Sequence, residues 1–232
     1  MRMFKSSMKM AVAVATMVVT GWQSALAETS TFAVDPEAGN NTFSAVFDAA
    51  IGERIMAVSS SVGCTLTVDE QQLEGKAKCS VPLTAIKVDN DDIKTEHFQQ
   101  WATNKKLDAA KCTFDLEIPH IKLPPPVEEK KPVAFTTEGN FTVCGRQREG
   151  GKPERITGTV IYLPAGTYGD TRTLRIRARI EGFDREQYGV SPRATAGWLA
   201  RVQQLADVVA TAGNIDVNIF ATSPSGKQAQ KE

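Results

Sequence analysis

The chain reads as an all-β domain of about eight antiparallel strands, closed into a barrel or stacked as a sandwich. Three observations predict it. First, Leu174, Ile176, Ala178 and Ile180 alternate with Thr173, Arg175, Arg177, Arg179 and Glu181, and a strand turns successive side chains to opposite faces. One face is apolar and the other charged, so a one-residue slip would bury four charges. Second, runs of this kind recur along the chain between turn-rich clusters, and helical spacing interrupts them only twice. Third, Cys64 and Cys79 flank a segment that turns about Gln71-Gln72, which places the two cysteines opposite each other.

The elements follow in order. Residues 1–27 carry Arg2, Lys5 and Lys9, an apolar run from Met10 to Thr20, and a small-x-small site at Ala25-Leu26-Ala27. This is the build of a secretory signal cut after Ala27, and its apolar run is short of the ~20 residues of a membrane span. The mature chain is then periplasmic or secreted. Thr31–Val34, Thr42–Phe47, Ile55–Val68 and Leu73–Ile86 read as strands, with Pro82 marking an edge or bend. Asp91–Thr103 changes period: Ile93, His97, Phe98 and Trp101 share a helical face behind an Asp-rich start. Lys111–Ile118 returns to strand, and His120–Pro132 reads as a stiff surface loop. Phe135–Gly145, Ile156–Leu163 and Leu174–Ile180 continue the series. Ser191-Pro192 opens a second helix, Pro192–Ala212, with Trp198, Val202, Leu205 and Val209 on one face and Gly213 as its stop. Ile215, Val217 and Ile219 form the last strand, before a polar tail at residues 223–232.

Composition narrows the function. The chain holds 27 basic and 27 acidic residues; without the three bases of the signal the balance is three negative, which excludes nucleic acid as a partner. Four cysteines in an exported chain predict disulfides. Cys64–Cys79 is the clearer pair. Cys112 and Cys144 sit on mismatched faces, so their bridge needs a bulge or a strand end. No Cys-x-x-Cys pair and no persuasive histidine set is present, so no metal is expected. Gly-x-Ser-x-Gly and His-Glu-x-x-His are absent and Ser59-Ser60-Ser61 has no identifiable base, so no catalytic residue is assigned.

The order of motifs resembles one family. Thr95-Glu96-His97-Phe98 is followed by Leu107-Asp108-Ala109, then Phe114, then Gly139-Asn140-Phe141-Thr142-Val143-Cys144-Gly145, and finally Phe183-Asp184-Arg185-Glu186-Gln187-Tyr188-Gly189-Val190. Across roughly residues 31–222 this is similar to the YceI-like family of periplasmic, lipocalin-like barrels that bind polyisoprenoid or related amphiphilic lipids. Lys94-Thr95 stands where that family has Arg-Asp, Cys112 replaces a proline, and the segment after Val190 is longer. The resemblance implies one lipocalin-like antiparallel barrel over residues 28–222, with two short helices covering its ends. It also implies a carrier role, with a polyisoprenoid or isoprenoid quinone held inside and no other cofactor.

On this reading Phe43, Phe47, Val62, Leu66, Phe114, Leu116, Phe141, Val143, Leu174, Ile176, Ile180, Val217 and Ile219 line a cavity. The alternative is a filled barrel that acts as an exported protein–protein interaction module. Small inward residues (Ala45, Ala57, Gly75, Ala77, Ala178) leave room for a ligand or relieve crowding. His97 and Trp101 either touch a headgroup at the barrel mouth or anchor the helix. Arg172, Arg175, Arg177 and Arg179 form a charged row, solvated and paired with acids or facing an anionic surface. Arg185, at the family's arginine position, and Tyr188 join the ligand set through the resemblance. The expected partner is a hydrophobic small molecule, with transient membrane contact at most; the oligomeric state is open, a dimer included.

Overall fold

The computed structural model describes residues 29–49, 52–104, 106–167, 169–191 and 209–223. The expected signal, residues 192–208 of the expected second helix, and the tail beyond Ser223 lie outside them. The strands are β1 (Thr29–Val34), β2 (Thr42–Ala49), β3 (Arg54–Ser59), β4 (Gly63–Asp69), β5 (Glu74–Pro82), β6 (Lys87–Val88), β7 (Thr113–Lys122), β8 (Pro132–Val143), β9 (Arg146–Gln147), β10 (Glu154–Leu163), β11 (Thr173–Asp184) and β12 (Val209–Thr222), with one α-helix, α1 (Asp92–Thr103).

These segments build a closed barrel with eight walls, all paired antiparallel. Three walls are broken strands. β1 and β2 lie in line along the same edge of β12, through Ala33↔Thr222 and then Asn218↔Thr42, and so close the ring. The excursion between them is pinned by Asn41, which is 1% exposed. Its amide donates to the Asp35 carbonyl and its oxygen accepts the Phe220 N–H. β3 and β4 form the second broken wall; the expected single strand Ile55–Val68 is interrupted at Ser60–Val62. β5 and β6 form the third, split by a 3-10 turn at Leu83–Ala85 directly after Pro82.

Both disulfides form. Cys64 and Cys79 are direct partners across β4 and β5, with Cα atoms 4.1 Å apart. Cys112 and Cys144 lie 4.5 Å apart. The mismatch of faces is resolved at strand ends: Cys112 immediately precedes β7 and Cys144 immediately follows β8, where its φ turns to +49°. A link closing about fifteen residues restricts the unfolded chain by about 3 kcal/mol.

The expected loop His120–Pro132 is shorter than its sequence implied, because β7 continues to Lys122 and β8 starts at Pro132. Pro119 is tolerated because β7 keeps its pairing with β5 through a bulge. Ala77 faces Ile118 and Gly75 faces Ile121, so β7 carries one residue more than β5. Its other edge is different. Pairing with β8 runs only from Phe114↔Val143 to Glu117↔Asn140.

Helix α1 begins as expected, with the Asp91 side chain accepting the Lys94 N–H at 2.9 Å. Its buried face is the expected one only in part, since Phe98 and Trp101 pack against the core while Ile93 and His97 do not. Thr95, Ala102 and Thr103 are buried, Phe98 and Trp101 are half-buried, His97 is exposed, and Ile93 is 67% exposed. The threonines can be buried because their hydroxyls are satisfied locally. Thr95 Oγ1 donates to the Asp91 carbonyl and accepts the Val88 N–H, while Thr103 Oγ1 donates to the Gln99 carbonyl.

The expected helix end at Val209–Ala212 is strand instead, and Gly213 is no helix stop. It sits inside β12 opposite Phe47, where a Cβ would lie 2.3 Å from the Val46 carbonyl oxygen and 2.5 Å from the Phe47 ring. Glycine is required there because β2 crosses too close for any side chain. Gly213→Ala is therefore expected to lower stability by about 1–3 kcal/mol, read as a reduced urea midpoint with an unchanged slope.

Candidate apolar cavity

The two ends of the barrel differ. At the capped end, Phe98 of α1 packs on Phe114 with ring centroids 5.9 Å apart. Phe114 meets Phe141 at 6.1 Å, Phe141 meets Phe183 at 5.1 Å, and Phe183 stacks on Tyr188 at 4.7 Å. These edge and stacked contacts fill that end with aromatic rings. The opposite, hairpin end carries the turn between β4 and β5, the loop between β7 and β8, and the loop between β10 and β11. Its inward residues Val68, Ile121, Leu123 and Leu174 are only half-buried. Charged contacts ring it: Arg172 binds Glu70 at 2.5 Å and Ser30 at 3.0 Å and covers the Phe32 ring, and Lys122 binds Glu74 at 2.7 Å.

Between the ends lies a cavity of about 60 Å³, several times the space one water-sized group needs. Its wall is hydrocarbon, interrupted by Cys79, Ser80 and Arg179. Of the residues expected from the strand faces, Phe43, Val62, Leu66, Phe114, Leu116, Phe141, Ile176, Ile180, Val217 and Ile219 line it. Ala77 and Ala178 also line it, so part of the room does come from small inward residues. Leu116, Ile176, Ala178 and Val217 point inward yet remain half-exposed, because they face this space.

Other expected ligand residues are elsewhere. Phe47 packs beside Gly213. Val143 and Tyr188 are buried in the capped end. His97 is exposed on α1, and Trp101 lies under the Arg185 guanidinium at 6.0 Å. Leu174 packs against the core near the hairpin end. Arg185 is 6% exposed, and its guanidinium donates to the backbone carbonyls of Val190, Val209 and Ala210. It thereby ties together the described ends of the segment between β11 and β12 and is not part of the wall of this cavity. Alternation missed Ile118, Ile121, Phe135 and Ile156 as wall residues. Phe135 and Ile156 stood on recognised strands with inward parity, whereas Ile118 and Ile121 share the cavity only because the bulge between them restores the inward face.

Buried polar groups gather at the capped end. Tyr188 Oη donates to Glu154 Oε1 at 2.6 Å, Arg148 reaches Glu154 Oε2 at 3.3 Å, and Arg148 also donates to Gln187, which donates to Asp184. Arg146 donates to the carbonyls of Tyr188 and Ala102. Burial, and then the bond to the Glu154 carboxylate, raise the Tyr188 phenol well above its ordinary range. On the outer face Arg179 is satisfied by a two-pronged pair with Asp216, whereas Arg175 covers the Phe220 ring and its buried Nε has no hydrogen-bond partner among the described residues.

A closed eight-walled antiparallel barrel around an apolar-walled cavity is lipocalin-like in fold. No family model and no curated protein matches the chain. Among solved structures it is similar to the structure of a polyisoprenoid binding domain from Saccharophagus degradans implicated in plant cell wall breakdown. The identity is 10%, the TM-score 0.54, and the likeness covers 85% of this chain and 100% of that one. At that identity the likeness is one of fold, and it is the fold that the motif order implied.

The Tyr188 environment has a pH consequence. The folded state holds the phenol proton more tightly than the unfolded chain does. Its contribution to stability is thus complete below the unfolded pKa of about 10 and is lost as pH rises above it. Denaturation midpoints are expected to fall on the alkaline side in the native chain, and this component of the fall to be absent in Tyr188→Phe.

Proposed function

We propose that this protein is an exported binding protein that holds the tail of a long-chain amphiphile, a polyisoprenoid or isoprenoid quinone, inside the barrel. The observation that carries the reading is the hydrocarbon-walled cavity at the centre of a closed barrel. The solved domain of similar fold, described as polyisoprenoid binding, supports the ligand class. The two disulfides support an oxidising compartment.

The mechanism is burial without chemistry. A prenyl or alkyl chain has no group to hydrogen-bond and gains about 0.8 kcal/mol per methylene taken out of water. The cavity is narrow, so the tail is a single slender chain, accommodated as the side chains of the wall repack around it. The aromatic fill blocks the capped end, so the head lies toward the hairpin end, where Arg172, Glu70, Lys122 and Glu74 supply both signs of charge. Glu154, Tyr188 and Arg148 are bonded to one another away from the cavity, which supports binding rather than catalysis.

The test is purification of the exported protein under native conditions, organic extraction and mass spectrometry. A stoichiometric prenyl lipid or quinone is the expected result. A clean extract, with no uptake of added polyprenol or quinone, overturns the reading. Ile176→Asp puts a carboxylate into the wall at a half-buried site; it is expected to abolish binding while near-ultraviolet dichroism of the barrel is retained. Binding by that folded variant removes this cavity as the site.

A further inference from the structure

We infer that the ligand passes through the side of the barrel, by a seam between β7 and β8, and not along the barrel axis. This rests on the proposed reading that the cavity holds a lipid tail.

The seam has a cause in sequence. The Cys144 N–H donates to the Thr113 carbonyl at 2.9 Å, so Thr113, Asp115 and Glu117 turn their backbone groups toward β8. Pro119 is next in that phase and has no N–H to give. The bulge follows at once. Leu123 N–H donates to the Leu73 carbonyl, so beyond the bulge Ile121 and Leu123 address β5 and His120 and Lys122 take over the β8 side. Backbone pairing with β8 stops at Glu117↔Asn140, although β7 stays on β5 to Lys122↔Glu74 and β8 stays on β10 to Pro132↔Ile161. Across the gap one side chain substitutes for the ladder: Thr137 Oγ1 donates to the His120 carbonyl at 2.5 Å.

Directly behind the seam is the cavity. Ile118 and Ile121 from β7 and Phe135 from β8 belong to its wall. Gly139 of β8 adds no side chain there; a Cβ would meet Ile156 at 2.7 Å and Leu116 at 3.1 Å. The two neighbouring walls keep long ladders, β5–β7 from Glu74↔Lys122 to Pro82↔Thr113 and β8–β10 from Glu154↔Gly139 to Ile161↔Pro132, and parting either breaks several backbone hydrogen bonds at once. Between β7 and β8 here the paired register is absent and the Thr137 hydroxyl contact stands in its place. A flexible hydrocarbon tail needs no wider opening, and during passage its polar head stays outside, on the Lys122 side of the seam that adjoins the hairpin end.

The experiment closes the seam from outside. His120 and Glu138, both exposed and on the two strands that border it, are replaced as His120→Cys and Glu138→Cys. The four native cysteines are paired, so the introduced thiols alone react with a short bis-maleimide. Retinol, a fluorescent isoprenoid alcohol, is the probe, followed by stopped flow on the same protein before and after crosslinking. Crosslinking is expected to slow uptake and release together by about tenfold or more with affinity unchanged, since a portal alters rates and not the bound state. Unchanged rates after crosslinking overturn the portal and leave the binding reading intact, as does a loss of affinity with rates of uptake preserved. No binding by either form overturns both. Pro119→Val tests the same point without added thiols. Restoring the N–H is expected to extend the ladder, seen as slowed amide exchange at residue 119, and to slow retinol uptake; exchange slowed with uptake unaltered overturns the portal.

Discussion

Ring closure around β12 is the constraint on which the rest of the structure depends. This strand is long enough to carry β11 along one edge and both β2 and β1 along the other. Without it the sheet has two open edges, and its apolar face has no inside. The demands of closure explain several odd residues at once. Asn41 is buried because the detour between β1 and β2 must still satisfy its backbone. Gly213 is glycine because β2 lies too close for a side chain. Arg185 is buried because it holds the carbonyls at the strand's beginning, where the chain returns from the segment after β11.

Closure also divides the interior. Aromatic rings from α1, β7, β8, β11 and the turn after it interlock at one end, and a charged, mutually bonded set of side chains backs them. That end is a plug. The wall at mid-barrel combines Phe43, Phe114, Phe135 and Phe141 with aliphatic residues and two alanines, which together leave a space unfilled. The difference between plug and cavity is one of side-chain shape on an otherwise uniform scaffold.

Much of this was legible in the sequence. Period-two alternation located every wall of the barrel, and the parity of Cys64 and Cys79 gave their bridge directly. What escaped was set by satisfaction of polar groups in three dimensions. The helix of residues 92–103 offers two faces at similar spacing; the one with His97 is the more apolar by inspection, yet Thr95 and Thr103 go inside because neighbouring backbone absorbs their hydroxyls. Val209–Ala212 extends an apolar helical spacing but is claimed by pairing with β2 and β11. Ile121 looked like part of a loop because Pro119 precedes it, and only the bulge against β5 returns it to the interior. Arg185 was readable as a special position, though its partners, three main-chain carbonyls, leave no trace in sequence pattern.

The Cys112–Cys144 bridge has a topological consequence. It joins β7 to β8 at the capped end, while the Pro-rich loop joins them at the other. Residues 112 to 144 therefore form an unbroken covalent eyelet around the stretch where the two strands part. Whatever crosses the wall there must be threaded through main chain that cannot unhook. A molecule with one thin end and one bulky end passes such an eyelet thin end first. The bridge thus sets a polarity on passage that neither the hydrophobicity nor the width of the interior imposes.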